Sequence, residues 1–249
     1  MAAEPARPEP TSRAAHLVDV ELPAQSQLRA RRATIYRLSY GPTDALGALD
    51  ASDLTTEERR RAAGYLFAED RFAFTAGRLL VRRLLSAETG MPPSRIALRL
   101  DRGRPYLPKH WGHDLTFSIS HTEGLVMVAI AREAMVGVDV EKITMRPDFD
   151  GISDIVFTEA ERSFLVGAAV AKKVEAFFRL WVRKEAILKY RGTGFAGGAR
   201  SVDVLDGMIP KELNLVDGGD DADHAWCAVS DGTFSPTGPV DVELLPARS

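Results

Sequence analysis

The chain has 249 residues, 45% hydrophobic and 27% charged, with a net charge of −3, enough for one large core or two small ones. Its single cysteine, Cys227, excludes an intrachain disulfide framework and fits a reducing compartment. No apolar run approaches the ~20 residues of a membrane span and no signal-peptide h-region opens the chain, so a cytoplasmic protein with no membrane partner is expected.

In chain order, residues 1–30 open AAEPARPEP and read as a disordered leader. TIYRLSY, after Ala33, predicts a strand. DLTTEERRRAAGYL carries an N-cap candidate and then helical spacing. AEDRFAFTAGRLLVRRLLSAETG predicts a long amphipathic helix ending near Gly90. IALRLDRGRPYLP reads as a strand, a turn and an extended exit. LTFSISHTEGLVMVAIA predicts two apolar strands around a turn at His121–Gly124, and MVGVDVEKI a further strand. FTEAERSFLVGA and FFRLWVRKEAILKYRGTGF predict helices. SVDVLDG and HAWCAVSD read as late strands with the polar loop DGGDDAD between them, and AWCAV makes Cys227 a buried structural thiol.

Two segments echo each other. FAEDR (67–71) resembles FTEAER (157–162), and AFTAGRLLVRRLLS resembles AFFRLWVRKEAILK when Phe74 is set against Phe177 and Arg78 against Trp181. Two echoes in one order predict a duplicated α/β unit, residues 31–133 and 134–249, with a pseudo-twofold axis and a site between the halves.

Charge is uneven. From Arg59 to Arg104 there are eleven arginines and four acids, a local +7 on an acidic chain. Such a zone suits a small anionic ligand better than nucleic acid, which wants a broad basic face. For any single arginine, a solvated helix face is the commoner explanation.

In GVDVE, Asp139 and Glu141 are two apart, so on a strand they share a face while Val138 and Val140 point to the core. Adjacent carboxylates repel unless a cation or base intervenes, and oxygen ligands suit Mg²⁺. A solvent-facing acidic edge is the simpler alternative for the pair alone. In the helix, Phe177, Trp181, Glu185 and Leu188 fall on one face with Lys189 next along it, and Arg183 falls on the exposed side. A glutamate on an apolar face needs Lys189 or a metal beside it; the alternative is a surface pair. Ser120 and His121 end a strand with no hydrolase triad around them.

Together, the residues GRP (103–105), FSISH (117–121), GVDVEK (137–142), FxxxWxxKEAxxK (177–189) and GTGF (192–195) resemble the surfactin-type 4'-phosphopantetheinyl transferases. The resemblance runs from about residue 33 to residue 230. It implies an α/β fold of two similar subdomains with coenzyme A in the cleft. It implies a monomeric enzyme that moves phosphopantetheine from coenzyme A to a carrier-protein serine and releases 3',5'-ADP. Asp139, Glu141 and Glu185 match the family's Mg²⁺ acids, with Glu185 or a metal-held water taking the serine proton. Lys189 matches the lysine at the pyrophosphate. Arg104, Ser120 and His121 match coenzyme contacts, and Arg61 and Arg59 fall where basic residues meet the 3'-phosphate. Phe74 stands where some relatives contact phosphate through a hydroxyl, which makes the adjacent Thr75 a candidate. A Mg²⁺-dependent nuclease would also use acids and a lysine, but it calls for a broad basic surface. A non-catalytic carrier-binding module would keep the fold and lose the acids.

Overall fold

The computed structural model describes residues 19–20, 31–45, 49–101, 104–108, 114–145, 149–194, 198–218, 223–234, 239–242 and 244–245. The fold is mixed α/β. The elements run β1 (Asp19–Val20), β2 (Arg32–Ser39), α1 (Pro42–Ala45), α2 (Thr56–Ala63), α3 (Ala68–Thr89), β3 (Arg99–Asp101), β4 (Arg104–Tyr106), β5 (Leu115–Thr122), β6 (Leu125–Arg132), β7 (Val136–Lys142), α4 (Phe149–Val156), α5 (Glu159–Gly167), α6 (Val170–Arg191), β8 (Asn214–Gly218), β9 (His224–Ser230), β10 (Thr233–Phe234), β11 (Val240–Asp241) and β12 (Leu244–Leu245). No described helix is long and apolar enough to cross a membrane.

The largest sheet has the order β10-β2-β6-β5, with β11 also on β2; a three-stranded sheet has the order β7-β9-β8, and β1-β12 and β3-β4 form two-stranded ones. Period-two alternation sorts the side chains of β2 into two cores. Tyr36 and Leu38 join Leu80 and Leu84 of α3 and Val128 of β6 in one of them. Ala33 and Ile35 join Met127, Val138, Val140 and Trp226 in the other, between the sheets. Beyond the second sheet, Cys227 and Val229 meet Phe178, Val182 and Ile187 of α6. The layers are therefore α3, sheet, sheet, α6. Covered on both faces, β6 is buried from Leu125 to Ala131, which explains its unbroken apolar run. After β9 the chain returns to the first sheet, where β10 and β11 pair parallel with β2.

The sheets are stitched where β5 passes β7. Ser118 Oγ accepts from the Val138 N–H at 3.1 Å, and Thr122 Oγ1 accepts from the Lys142 N–H at 3.2 Å. On its other face β7 lies unusually close to α6. A Cβ built on Gly137 would stand 2.1 Å from the Ala186 carbonyl oxygen and 2.6 Å from the Tyr190 nitrogen. That approach brings the next two residues on the same face, Asp139 and Glu141, up to α6. Gly137→Ala must push strand and helix apart and is expected to cost about 1–3 kcal/mol or more. Chemical denaturation of the purified variant measures it; a wild-type midpoint would contradict the close approach.

The two long helices are built alike. Both span 22 residues and end at a left-handed glycine, Gly90 (φ 72°) and Gly192 (φ 69°). Each follows a short helix with a complete capping box, Thr55/Glu58 before α2 and Thr158/Glu161 before α5. In each case the capping glutamate reaches a buried cation on the long helix: Glu58 to Arg82 at 2.7 Å, and Glu161 to Lys184 at 2.8 Å. Each cation also donates to two carbonyls beyond the helix, Pro93 and Ile96 for Arg82, Ala199 and Val202 for Lys184.

The structure corrects three expectations. FAEDR opens α3 itself, whereas FTEAER caps the helix before α6; the segment with the same capping box as FTEAER is LTTEER (54–59). Matching the helix ends likewise sets Gly90 against Gly192, one residue away from the Phe74–Phe177 register. SVDVLDG is no strand: its carbonyls at Val202 and Val204 are taken by the Lys184 and Arg183 side chains. Arg183 is not exposed; it is 4% accessible and bonded to Asp217 at 2.5 Å and Asp206 at 2.8 Å. Of residues 1–30, only Asp19–Val20 are described, paired with Leu244–Leu245; the leader otherwise lies outside the described residues. So do Gly103, Phe195 and the centre of DGGDDAD.

Candidate functional site

Three elements converge where β7, α6 and the end of β5 meet. Asp139 is 3% accessible, so it is no surface edge. Its Oδ1 accepts from Lys189 Nζ at 2.7 Å and from Ser120 Oγ at 2.8 Å, and Ser120 Oγ in turn accepts from Lys189 Nζ at 2.9 Å. Lys189 therefore crosses from α6 to the strands and pairs with Asp139, where the sequence offered Glu185. Ser120, read as a coenzyme contact, is buried inside this cluster.

Asp139 Oδ2 is buried without a hydrogen-bond partner. An orphaned carboxylate oxygen in that position is costly. Glu185, half-buried on α6, has its carboxyl pushed up to about 7, first by burial and then by the charge of Asp139, against Lys189, with Glu141 adding to the rise. Three carboxylates thus feel one another, and Lys189 is the cation among them. The donors are all oxygen and one of them is unsatisfied, chemistry that suits a hard divalent cation such as Mg²⁺, but among the described residues the three carboxylates are not gathered into a metal-holding group.

A second, positive cluster lies on α2 and α3. Phe74 carries the Arg61 guanidinium 5.4 Å and the Arg78 guanidinium 5.1 Å from its ring centroid. Arg78 is 6% accessible and forms no ion pair among the described residues. Burial lowers its pKa; Glu58 opposes this and Arg61 adds to it. The sequence reading passed over Arg78; the signal was its place four residues after Phe74 on a helix that buries its middle. His121 feels both clusters: its pKa is lowered first by burial, then by Lys189, with Asp70 opposing and Arg78 and Arg61 adding to the fall.

The remaining expected residues divide. Arg104 is half-buried, its pKa lowered by burial, with Nη2 3.5 Å from the Val136 carbonyl and Nη1 beside Gly192 at the end of α6. Arg59 is spent locally: its guanidinium donates to the Ala51 and Leu54 carbonyls. Thr75 donates its hydroxyl to the Arg71 carbonyl at 2.7 Å, so Phe74 is the residue turned to the arginines. The region thus carries two charged features, the acids around Lys189 and the arginines around Phe74.

Two family models match the chain. The 4'-phosphopantetheinyl transferase superfamily model matches residues 135–234, and the 4'-phosphopantetheinyl transferase N-terminal model matches residues 40–133. The chain is 32% identical over 148 residues to the 4'-phosphopantetheinyl transferase HetI of a Nostoc species, covering 59% of this chain and 62% of that one. It is 30% identical over 145 residues to the 4'-phosphopantetheinyl transferase AcpT of Salmonella typhi, covering 58% of this chain and 69% of AcpT. It is 29% identical over 206 residues to the human L-aminoadipate-semialdehyde dehydrogenase-phosphopantetheinyl transferase, covering 74% and 66%. The chain belongs to the 4'-phosphopantetheinyl transferase superfamily. The matches span about two thirds of the length of these relatives, and slightly less for HetI.

Proposed function

We propose that the protein transfers 4'-phosphopantetheine from coenzyme A to a serine of an acyl or peptidyl carrier protein, as a cytoplasmic, monomeric, surfactin-type enzyme. The observation that carries this reading is the Asp139–Lys189–Ser120 cluster with its orphaned oxygen, set next to Glu185. We also read residues 31–133 and 134–249 as a duplicated unit; the paired capping boxes and long helices support it.

In this reading Asp139, Glu141 and Glu185 hold Mg²⁺, which when bound supplies charge neutralisation at the pyrophosphate. Lys189 has three N–H donors, two of them engaged by Asp139 and Ser120, and the third serves the leaving phosphate. Arg61 and Arg78 take the 3'-phosphate, with His121 between them and Lys189. The serine oxygen bonds to the phosphorus that carries pantetheine, and the bond from that phosphorus to 3',5'-ADP breaks. The serine proton passes to Glu185 or to a metal-held water beside it. The work of the site is positioning and charge placement.

Release of 3',5'-ADP that requires both coenzyme A and an apo carrier tests the proposal. Release without the carrier would mean hydrolysis and would contradict it. Arg61→Glu is expected to raise KM for coenzyme A by roughly tenfold, a loss of one charged contact, and to raise it less for 3'-dephospho-coenzyme A. Steady-state kinetics on both substrates decide; equal rises would move Arg61 away from the 3'-phosphate.

A further inference from the structure

Helix α2 is eight residues long and buries only Ala62. Packing of its own side chains therefore does little to fix it. Yet it carries Arg61, which shares the Phe74 ring with Arg78. Arg59 ties the helix to the preceding loop through the Ala51 and Leu54 carbonyls, and Glu58 ties it to α3. Glu58 Oε2 accepts from the Thr55 N–H at 2.9 Å, from Thr55 Oγ1 at 3.1 Å and from Arg82 Nη2 at 2.7 Å. The Arg82 side chain is 0% accessible, and its Nη1 is held by the carbonyls of Pro93 at 3.1 Å and Ile96 at 2.6 Å. Arg82 is thus anchored to the backbone beyond α3, Glu58 to Arg82, and α2 to Glu58.

The second half of the molecule supplies an internal comparison. Glu161 and Lys184 repeat the device, with the Ala199 and Val202 carbonyls as anchors. There the position three residues after the capping glutamate, where α2 carries Arg61, is the exposed Phe164 of α5. The same lock therefore holds an arginine at that position only in the first half.

We propose that Glu58 and Arg82 are positioning residues that hold Arg61 against Arg78, and so set the preference for a nucleotide with a 3'-phosphate. This rests on the coenzyme A reading above. Neither residue touches ligand; both act through α2. Because the Arg61–Arg78 pair is like-charged, it separates once Glu58 stops holding the helix.

The test is calorimetric titration of coenzyme A and of 3'-dephospho-coenzyme A, without carrier protein, into wild type, Glu58→Gln, Glu161→Gln, Arg61→Ala and the Glu58→Gln/Arg61→Ala double variant. Thermal midpoints are measured alongside. Wild type is expected to favour coenzyme A. Glu58→Gln is expected to weaken coenzyme A binding by about tenfold and to leave dephospho-coenzyme A nearly unchanged. Glu161→Gln is expected to lower the midpoint and keep the preference. In the Arg61→Ala background, Glu58→Gln is expected to add little. A Glu58→Gln variant that keeps the wild-type preference overturns the inference alone, as do additive effects in the double variant or an equal loss of preference in Glu161→Gln. A wild type that binds both nucleotides equally overturns both the inference and the phosphate assignment beneath it.

Discussion

Glu185→Gln is expected to lower kcat by roughly 10²–10⁴-fold, the usual cost of losing a general base, with a thermal midpoint unchanged or raised. The sign of the stability effect follows from the site. Burial and the charges of Asp139 and Glu141 push the Glu185 carboxyl up to about 7, against the pull of Lys189. In the metal-free protein the carboxylate is therefore a source of repulsion, and the amide removes it while keeping the shape. A surface pair would behave in the opposite way, with a small loss of stability and unchanged turnover. Lys189→Ala is also expected to slow transfer, because Asp139 loses its cation and the leaving phosphate loses a positive charge. Since both groups serve one transition state, the double variant is expected to lose less than the product of the single losses. Wild-type turnover in Glu185→Gln would make this face of α6 a scaffold.

Lys184→Met is expected to destabilise the fold by about 3–5 kcal/mol, because it leaves a buried charge without its partner. Lys184 and Glu161 are both 0% accessible and 2.8 Å apart. The variant strands the Glu161 carboxylate and frees the Ala199 and Val202 carbonyls at once. Adding Glu161→Gln is expected to restore part of the loss, since a neutral amide still accepts from the Val204 N–H. Turnover per folded molecule is expected to stay close to wild type. Urea unfolding and active-site-normalised kinetics measure the two quantities. A stable Lys184→Met protein with little activity would give Lys184 a role in the chemistry, which its position behind α6 does not offer.

Much of this was legible in the sequence because local rules governed it. The hairpin of β5 and β6 showed in its apolar runs and turn, and the end of α3 in Gly90. The alternation of GVDVE set Asp139 and Glu141 opposite Val138 and Val140, and the inter-sheet core does contain both valines. What failed depended on distant partners. Arg183 and Lys184 look like the polar side of a helix. They are buried because Asp217, Asp206 and Glu161, all more than twenty residues away, reach them on a helix covered nearly all round. SVDVLDG has strand alternation, but its carbonyls were claimed by those same cations. Lys189 was read only in part: helical spacing set it beside Glu185, whose carboxyl it does pull down, while its bond to Asp139 comes from a strand fifty residues away. The capping boxes were readable in principle, as T-x-x-E at Thr55 and Thr158. Matching them would have paired LTTEER with FTEAER.

Group transfer to a carrier protein is read out by the intact mass of the acceptor. Apo carrier proteins of acyl and peptidyl type are incubated with the protein, coenzyme A and Mg²⁺, in parallel with the Glu185→Gln variant. The account predicts that at least one carrier gains the mass of a single 4'-phosphopantetheine, that changing its acceptor serine to alanine abolishes the gain, and that Glu185→Gln slows it by orders of magnitude. The same samples separate the nuclease and carrier-binding-module readings, neither of which adds mass to a carrier. Carriers left at their apo mass by folded wild-type protein, while a related transferase converts the same carriers in the same buffer, would contradict the account.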